Sequence, residues 1–93
     1  MKSVHIYITG DVIGVGFRSF IKRNADNLKI TGWVKNLSSP QNAVEAVFQG
    51  EKEDIEKIID LCKKGPEISW VKDIKIKLLP EIENYSEFTI KAS

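Results

Sequence analysis

The sequence is poor in the side chains that enzymes commonly use for covalent and acid–base chemistry. Its 93 residues include one histidine, His5, and one cysteine, Cys62. A single cysteine cannot form an internal disulfide, which argues against a disulfide-stabilised secreted scaffold. One histidine, one cysteine and scattered carboxylates show no metal-ligand spacing, so the sequence predicts neither a metal site nor a cofactor.

An excess of one charge and a long apolar run are missing as well. Fourteen basic and thirteen acidic residues leave a formal net charge of +1, so no global field attracts nucleic acid or an anionic membrane. No run approaches the roughly eighteen apolar residues of a membrane-spanning helix, and the N-terminus does not resemble a signal peptide. We therefore expect one domain over residues 1–93 in a cytoplasmic, monomeric protein, with neither nucleic acid nor membrane as partner.

The hydrophobic pattern alternates between stretches with a period of two and stretches with a period of about 3.6 residues, which predict strands and helices respectively. The predicted elements are a strand at 4–9, a helix at 17–28, strands at 30–37 and 43–50, a helix at 51–65, a strand at 71–79 and a short strand at 87–91. Right-handed crossovers then place both helices on one face of a mostly antiparallel sheet. The predicted fold is an α+β, ferredoxin-like two-layer sandwich of βαββαβ order.

Strand parity divides side chains between the core and the solvent. We expect Ile74, Ile76 and Leu78 to face the core from the fourth strand. Trp33 and Trp70 are interpreted as packing residues rather than as platforms for stacking a ligand.

A glycine-rich stretch, GDVIGVGFR at residues 10–18, joins the first strand to the first helix. Gly14 and Gly16 permit positive φ, and amides that converge at a helix N-terminus can bind an anion. Arg18 follows in the first helical turn, in a chain with two arginines and twelve lysines. Its planar guanidinium can donate two parallel hydrogen bonds to phosphate. These residues alone leave two interpretations open, an anion site and a plain turn beside a solvated arginine.

The stretch GWVKN at residues 32–36 ends the second strand. In a ferredoxin-like sheet this end of the strand can lie close to the glycine loop. The Asn36 amide could then hold a water beside a bound phosphate, although taken alone Asn36 is better interpreted as a strand-ending turn residue.

Together the two stretches resemble the acylphosphatase family. The first family motif reads approximately apolar-x-Gly-x-Val-Gln-Gly-Val-x-Phe-Arg, and residues 8–18 match it except at Ile13, where the family has glutamine. The second motif is Gly-aromatic-small-basic-Asn, which residues 32–36 match, with Val44 and Gly50 following. The resemblance extends over nearly the whole chain.

The resemblance implies hydrolysis of a small-molecule acyl phosphate to a carboxylate and inorganic phosphate, without a metal ion. Arg18 and Asn36 are the implied catalytic residues, Arg18 holding the phosphate and Asn36 orienting the attacking water. The implied phosphate-binding residues are Ile13, Gly14, Val15, Gly16, Phe17 and Arg18.

The sequence departs from the family pattern at Ile13 and in the turn at residues 37–43, which is longer and lacks the expected glycine. We expect Asn42 to take the left-handed conformation in its place. Ile13 leaves open a catalytically inactive phosphate-binding module. A second alternative is an RNA-binding ferredoxin-like module, which would need a basic open sheet face with paired aromatic residues.

Overall fold

The computed structural model describes residues 1–80 and 83–91. Along the chain the elements are β1 (Lys2–Asp11), α1 (Phe17–Asn27), β2 (Thr31–Leu37), β3 (Ala43–Gly50), α2 (Lys52–Lys64), β4 (Trp70–Leu79) and β5 (Phe88–Ile90). The predicted domain, 1–93, includes residues 81, 82, 92 and 93, which lie outside the described residues, and its extent stays a prediction.

The strands form one sheet in the order β4-β1-β3-β2-β5. β1 is antiparallel to both β3 and β4, β2 is antiparallel to β3, and β5 is parallel to β2. Both helices pack on one face of this sheet. The predicted ferredoxin-like sandwich is therefore confirmed, and the crossovers bring the loop after β1 close to the end of β2.

The core lies between the helices and one sheet face, and alternation in the central strands produces it. Val4, Ile6 and Ile8 of β1 are buried, while His5 and Tyr7 are half-exposed on the opposite face. Helical spacing supplies the other side of the core. The buried helix residues are Phe17, Ile21 and Ala25 of α1 and Ile55, Ile58 and Cys62 of α2.

The expectation that β4 faces the core along its length is wrong. Ile74 is partly buried, but Ile76 is 49% and Leu78 67% exposed. Their parity was predicted correctly, since Ile76 lies directly opposite the buried Ile6. However, β4 is an edge strand, and the helices leave this part of its inner face uncovered.

The expectation that Trp70 packs inside is also wrong, because Trp70 is 59% exposed. It opens β4 beyond a bulge at Thr9 and Gly10, where the register of the β1–β4 ladder shifts. Trp33 is half-buried on the open sheet face, and the Nζ atom of Lys91 lies 4.3 Å from its ring centroid.

The pair Ile6 and Ile76 permits a matched test of this description. We expect Ile6→Ala to lower the free energy of unfolding by about 2–5 kcal/mol, because it leaves a cavity in the core. Ile76→Ala should lower the free energy of unfolding by less than about 1 kcal/mol, because much of that side chain is already in water. Urea unfolding of both variants measures the difference, and equal losses would contradict the edge-strand description.

Candidate active site

Residues 12–16 form a loop between β1 and α1, and two of its glycines have backbone conformations that disfavour other residues. The φ angles of Gly14 and Gly16 are 75° and 77°, which confirms the expectation of positive φ. A Cβ added to either glycine would meet nothing within 4 Å. Conformation rather than lack of space therefore requires glycine here, and the open space leaves the backbone accessible to a ligand.

The amides of this loop have no acceptors in the described part of the protein. Those of residues 13–16 donate to no backbone or side-chain acceptor of residues 1–80 and 83–91. Gly16 caps α1 without a side-chain hydrogen bond, and no acidic residue lies in the first turn. Because the first N–H groups of a helix also lack intrahelical acceptors, they carry about half a positive charge. The loop thus offers backbone donors without acceptors, and the first turn of α1 has no acidic side chain to compete with a bound anion.

A pocket of about 80 Å³ opens where the loop meets the end of β2. Its walls are formed by Val12, Gly14, Gly16, Phe17, Arg18, Ser19 and Asn36. Arg18 and Asn36, which belong to separate stretches of sequence, therefore share one pocket. Pockets for small organic ligands begin at about 300 Å³, so this volume suits a small anion rather than a whole substrate. We call it the phosphate pocket below.

Two of the predicted loop residues do not line this pocket. Ile13 and Val15 line a larger neighbouring pocket instead. Val12 and Ser19 line the phosphate pocket but were not predicted. Ser19 directly follows Arg18 in the first turn of α1, and that position was the available signal. The functional roles of all these residues stay predictions.

Arg18 is half-buried and lines the phosphate pocket. Within the described residues its guanidinium forms no ion pair and no hydrogen bond. The other arginine, Arg23, contrasts with it, because its guanidinium carbon lies 6.0 Å from the Phe20 ring centroid. The guanidinium of Arg18 is therefore available to an anion in the phosphate pocket.

Asn36 reaches the pocket because of its position on β2. It has the parity of Val34, which is fully buried beneath the helices, and it lies opposite Val44 of β3. Its Oδ1 atom is buried and has no hydrogen-bond partner among the described protein atoms. A buried acceptor without a partner costs about 1–3 kcal/mol, so this oxygen calls for a donor from a water or a ligand.

The turn after β2 confirms the expectation for Asn42, whose φ is 49°. The Gln41 amide donates to the Ser38 carbonyl over 3.0 Å, which closes the turn. Asn42 thereby reaches the same neighbouring pocket as Ile13 and Val15.

The remaining reactive side chains lie away from the phosphate pocket. On the open sheet face, His5 Nε2 lies 2.7 Å from Glu45 Oε2, and Glu45 also pairs with Lys35 over 3.5 Å. Cys62 is fully buried in the core, where desolvation raises the pKa of its thiol to about 12. Residues 1–80 and 83–91 contain no cluster of three His, Cys, Asp or Glu side chains that could hold a metal ion. The same residues include no helix with the length and apolar character needed to span a bilayer.

Comparisons with known proteins identify relatives of this chain both in sequence and in structure. The profile of the family described as Acylphosphatase matches residues 4–90. An acylphosphatase of Trichormus variabilis is 40% identical over 88 residues, covering 95% of this chain and 84% of the relative. The crystal structure of acylphosphatase from Bacillus subtilis superposes with a TM-score of 0.92 at 33% identity, over 98% of this chain and 99% of that one.

The same fold also occurs inside a much larger protein. The crystal structure of HypF from T. kodakarensis matches all of this chain with 12% of its own length, at a TM-score of 0.85 and 39% identity. Agreement in sequence and in structure over almost the full length leads to one conclusion: the chain belongs to the acylphosphatase family and is a hydrolase with acylphosphatase function.

Proposed function

We propose that the phosphoryl group of an acyl phosphate binds in the phosphate pocket, held by Arg18 and by the amides of the glycine loop. The observation that carries this proposal is the meeting, in one pocket of about 80 Å³, of a guanidinium without a protein partner and a buried Asn36 Oδ1 without a donor, both judged within the described residues. A phosphate oxyanion matches the first group, and the attacking water matches the second.

Arg18 and the amides would act on the charge of the phosphoryl group. In-line attack leaves charge spread over the three equatorial oxygens of the transferred group. Donors that are already fixed in direction stabilise this charge without reorganisation, and each can contribute about 10²- to 10³-fold in rate. The half-positive end of α1 adds to the same effect.

Asn36 would orient the nucleophile. Its Oδ1 accepts a hydrogen bond from the water, which turns a lone pair of the water oxygen toward phosphorus. The new O–P bond forms as the bond from phosphorus to the acyl oxygen breaks, and the bonding electron pair leaves with the carboxylate. The phosphate product keeps both protons of the water, so the acyl phosphate dianion gives a carboxylate and a dihydrogen phosphate.

This chemistry does not depend on an enzymic acid or base. A carboxylate leaves readily without protonation, since carboxylic acids have pKa values of about 4. The water's proton moves to the substrate phosphoryl oxygens. We also propose that Arg18 and the amides suffice without a metal ion, and we keep cytoplasmic location and a monomeric state as predictions.

Two features bear on the alternatives. Ile13 does not line the phosphate pocket, so the glutamine that it replaces need not have been part of that pocket, which weakens the case for an inactive module. The RNA-binding alternative would need free aromatic faces. The Nζ atom of Lys91 already lies over the ring of Trp33, and a base that stacked on this ring would have to displace it.

The first of three kinetic predictions tests the reaction itself. The protein should hydrolyse benzoyl phosphate at an unchanged rate after treatment with EDTA, and inorganic phosphate should inhibit competitively. The ultraviolet absorbance of the substrate follows the reaction. No hydrolysis would contradict the proposed function, and loss of activity with EDTA that added metal restores would contradict its independence of metal.

The second prediction concerns Arg18. Arg18→Ala should lower kcat/KM by about 10³-fold, because the phosphate loses the positively charged guanidinium that binds it. Arg18→Lys should recover little of this, because an ammonium cannot reproduce the two parallel hydrogen bonds. Steady-state kinetics and the inhibition constant of phosphate measure both effects. Arg23→Ala and Arg23→Lys on the same helix are the matched controls and should keep wild-type kinetics, while full rescue by lysine would argue against the forked contact.

The third prediction separates the role of Asn36 from that of Arg18. Asn36→Ala should lower kcat by about 10²-fold and leave the inhibition constant of phosphate unchanged, because water is misplaced while phosphate is still held. The free energy of unfolding should stay within about 1 kcal/mol of the wild type, because Asn36 is only half-buried and its Oδ1 forms no hydrogen bond with another described residue. Kinetics and urea unfolding test the two statements, and wild-type turnover would exclude a role in orienting water.

A further inference from the structure

A second pocket lies against the phosphate pocket and shares a wall with it. Its volume is about 430 Å³, and it is lined by Gly10, Asp11, Val12, Ile13, Val15, Asn42 and Ile68. The loop residues alternate between the two pockets. Gly14 and Gly16 line the small one, Ile13 and Val15 line the large one, and Val12 lines both.

This adjacency places the large pocket where the rest of a substrate would lie. In an acyl phosphate, the acyl group is joined to phosphorus through a single oxygen. A phosphoryl group in the phosphate pocket therefore directs the acyl group into the space next to it. The volume of the large pocket falls within the range of about 300–1,000 Å³ that is typical for small organic ligands.

Four aliphatic side chains line the large pocket, and one of them is otherwise unexplained. Val12 is buried, while Ile13 and Val15 are partly buried against the core. Ile68, in contrast, is 74% exposed. An isoleucine in this position adds little to the stability of the core, because most of its side chain is in water, but it presents an apolar surface to a ligand.

The turn that carries Ile68 is fixed rather than loose. Ser69 donates to the Pro66 carbonyl twice, from its amide over 2.9 Å and from its hydroxyl over 2.6 Å. The turn also packs against the start of α1, since a Cβ added to Gly65 would lie 2.9 Å from Cε2 of Phe17. Ile68 is thus held beside the glycine loop.

The polar side chains of the large pocket are Asn42 and Asp11. Asp11 ends β1, is exposed, and has no cationic partner among the described residues. Its carboxylate would repel an acyl group that carries a second carboxylate, and no side chain lining the large pocket offsets that charge.

We propose that the large pocket binds the acyl group, that Ile13, Val15 and Ile68 favour uncharged aromatic or aliphatic acyl groups, and that Asp11 disfavours dicarboxylic ones. This inference rests on the proposed function. Ile68 and Asp11 are specificity residues, because they contact the part of the substrate that does not react.

The test compares kcat/KM for benzoyl, acetyl and succinyl phosphate in the wild type and in two variants. The wild type should prefer benzoyl phosphate. Ile68→Ala should lower the kcat/KM for benzoyl phosphate by about tenfold, through KM. The value for acetyl phosphate should change by less than about twofold, because an acetyl group has much less apolar surface to bury against the isoleucine. Asp11→Asn should raise kcat/KM for succinyl phosphate by about threefold to tenfold and for benzoyl and acetyl phosphate by a smaller factor, because all three carry the phosphate charge but only succinyl phosphate places a second carboxylate in the large pocket.

Leu78→Ala is the matched control, since Leu78 is a similarly exposed aliphatic residue on β4 outside both pockets. This variant should keep the wild-type kcat/KM for all three substrates. If the wild type hydrolyses the substrates and both variants keep its substrate ratios, the assignment of the large pocket is overturned while the proposed function stands. If the wild type hydrolyses none of the three, the proposed function and this inference fail together.

Discussion

The site depends on a set of backbone amides that the fold leaves without acceptors. β1 ends, two glycines with positive φ turn the chain, and α1 begins without a side-chain cap or an acidic first turn. These features leave amides of the loop without acceptors beside one small pocket, which Gly14 and Gly16 line. In the proposed reaction these main-chain groups hold the phosphoryl group, so only two side chains, the Arg18 guanidinium and the Asn36 amide, are needed to complete the pocket.

The two sides of the glycine loop have different chemistry, and that difference gives the site a direction. The side that carries Gly14 and Gly16 has no side chains and leaves the backbone accessible, whereas the side that carries Ile13 and Val15 presents aliphatic surface. A substrate with an anionic end and an apolar end can fit only one way round. The isoleucine that departs from the family motif lies on the apolar side, where a longer polar side chain would alter the pocket wall.

The order of the elements and the conformation of the glycine loop could be predicted from local sequence patterns. Arg18 and Asn36 were brought together only by the resemblance to the acylphosphatase family, and their roles stay predictions. The strand predicted at residues 43–50 has the bounds of β3, Ala43–Gly50, because its apolar residues follow a polar turn. The positive φ angles of Gly14, Gly16 and Asn42 follow from residue type. The exposure of Ile76 and Trp70 could not be predicted, because parity assigns a face but does not say how far the helices cover an edge strand. Ile68 was missed for a similar reason, since its position depends on how the turn after α2 packs on Phe17.

The edge position of β4 has a consequence for how the molecule meets its own copies. A long edge strand with exposed Ile76 and Leu78 offers a template for pairing with another chain, which is a route to aggregation. Lys75 and Lys77 alternate with these residues and are exposed. Pairing of two such edges would bring lysine ammonium groups close together, which costs free energy through like-charge repulsion and desolvation. The lysines therefore disfavour pairing between the β4 edges of two molecules, and this repulsion should weaken as salt screens their charge.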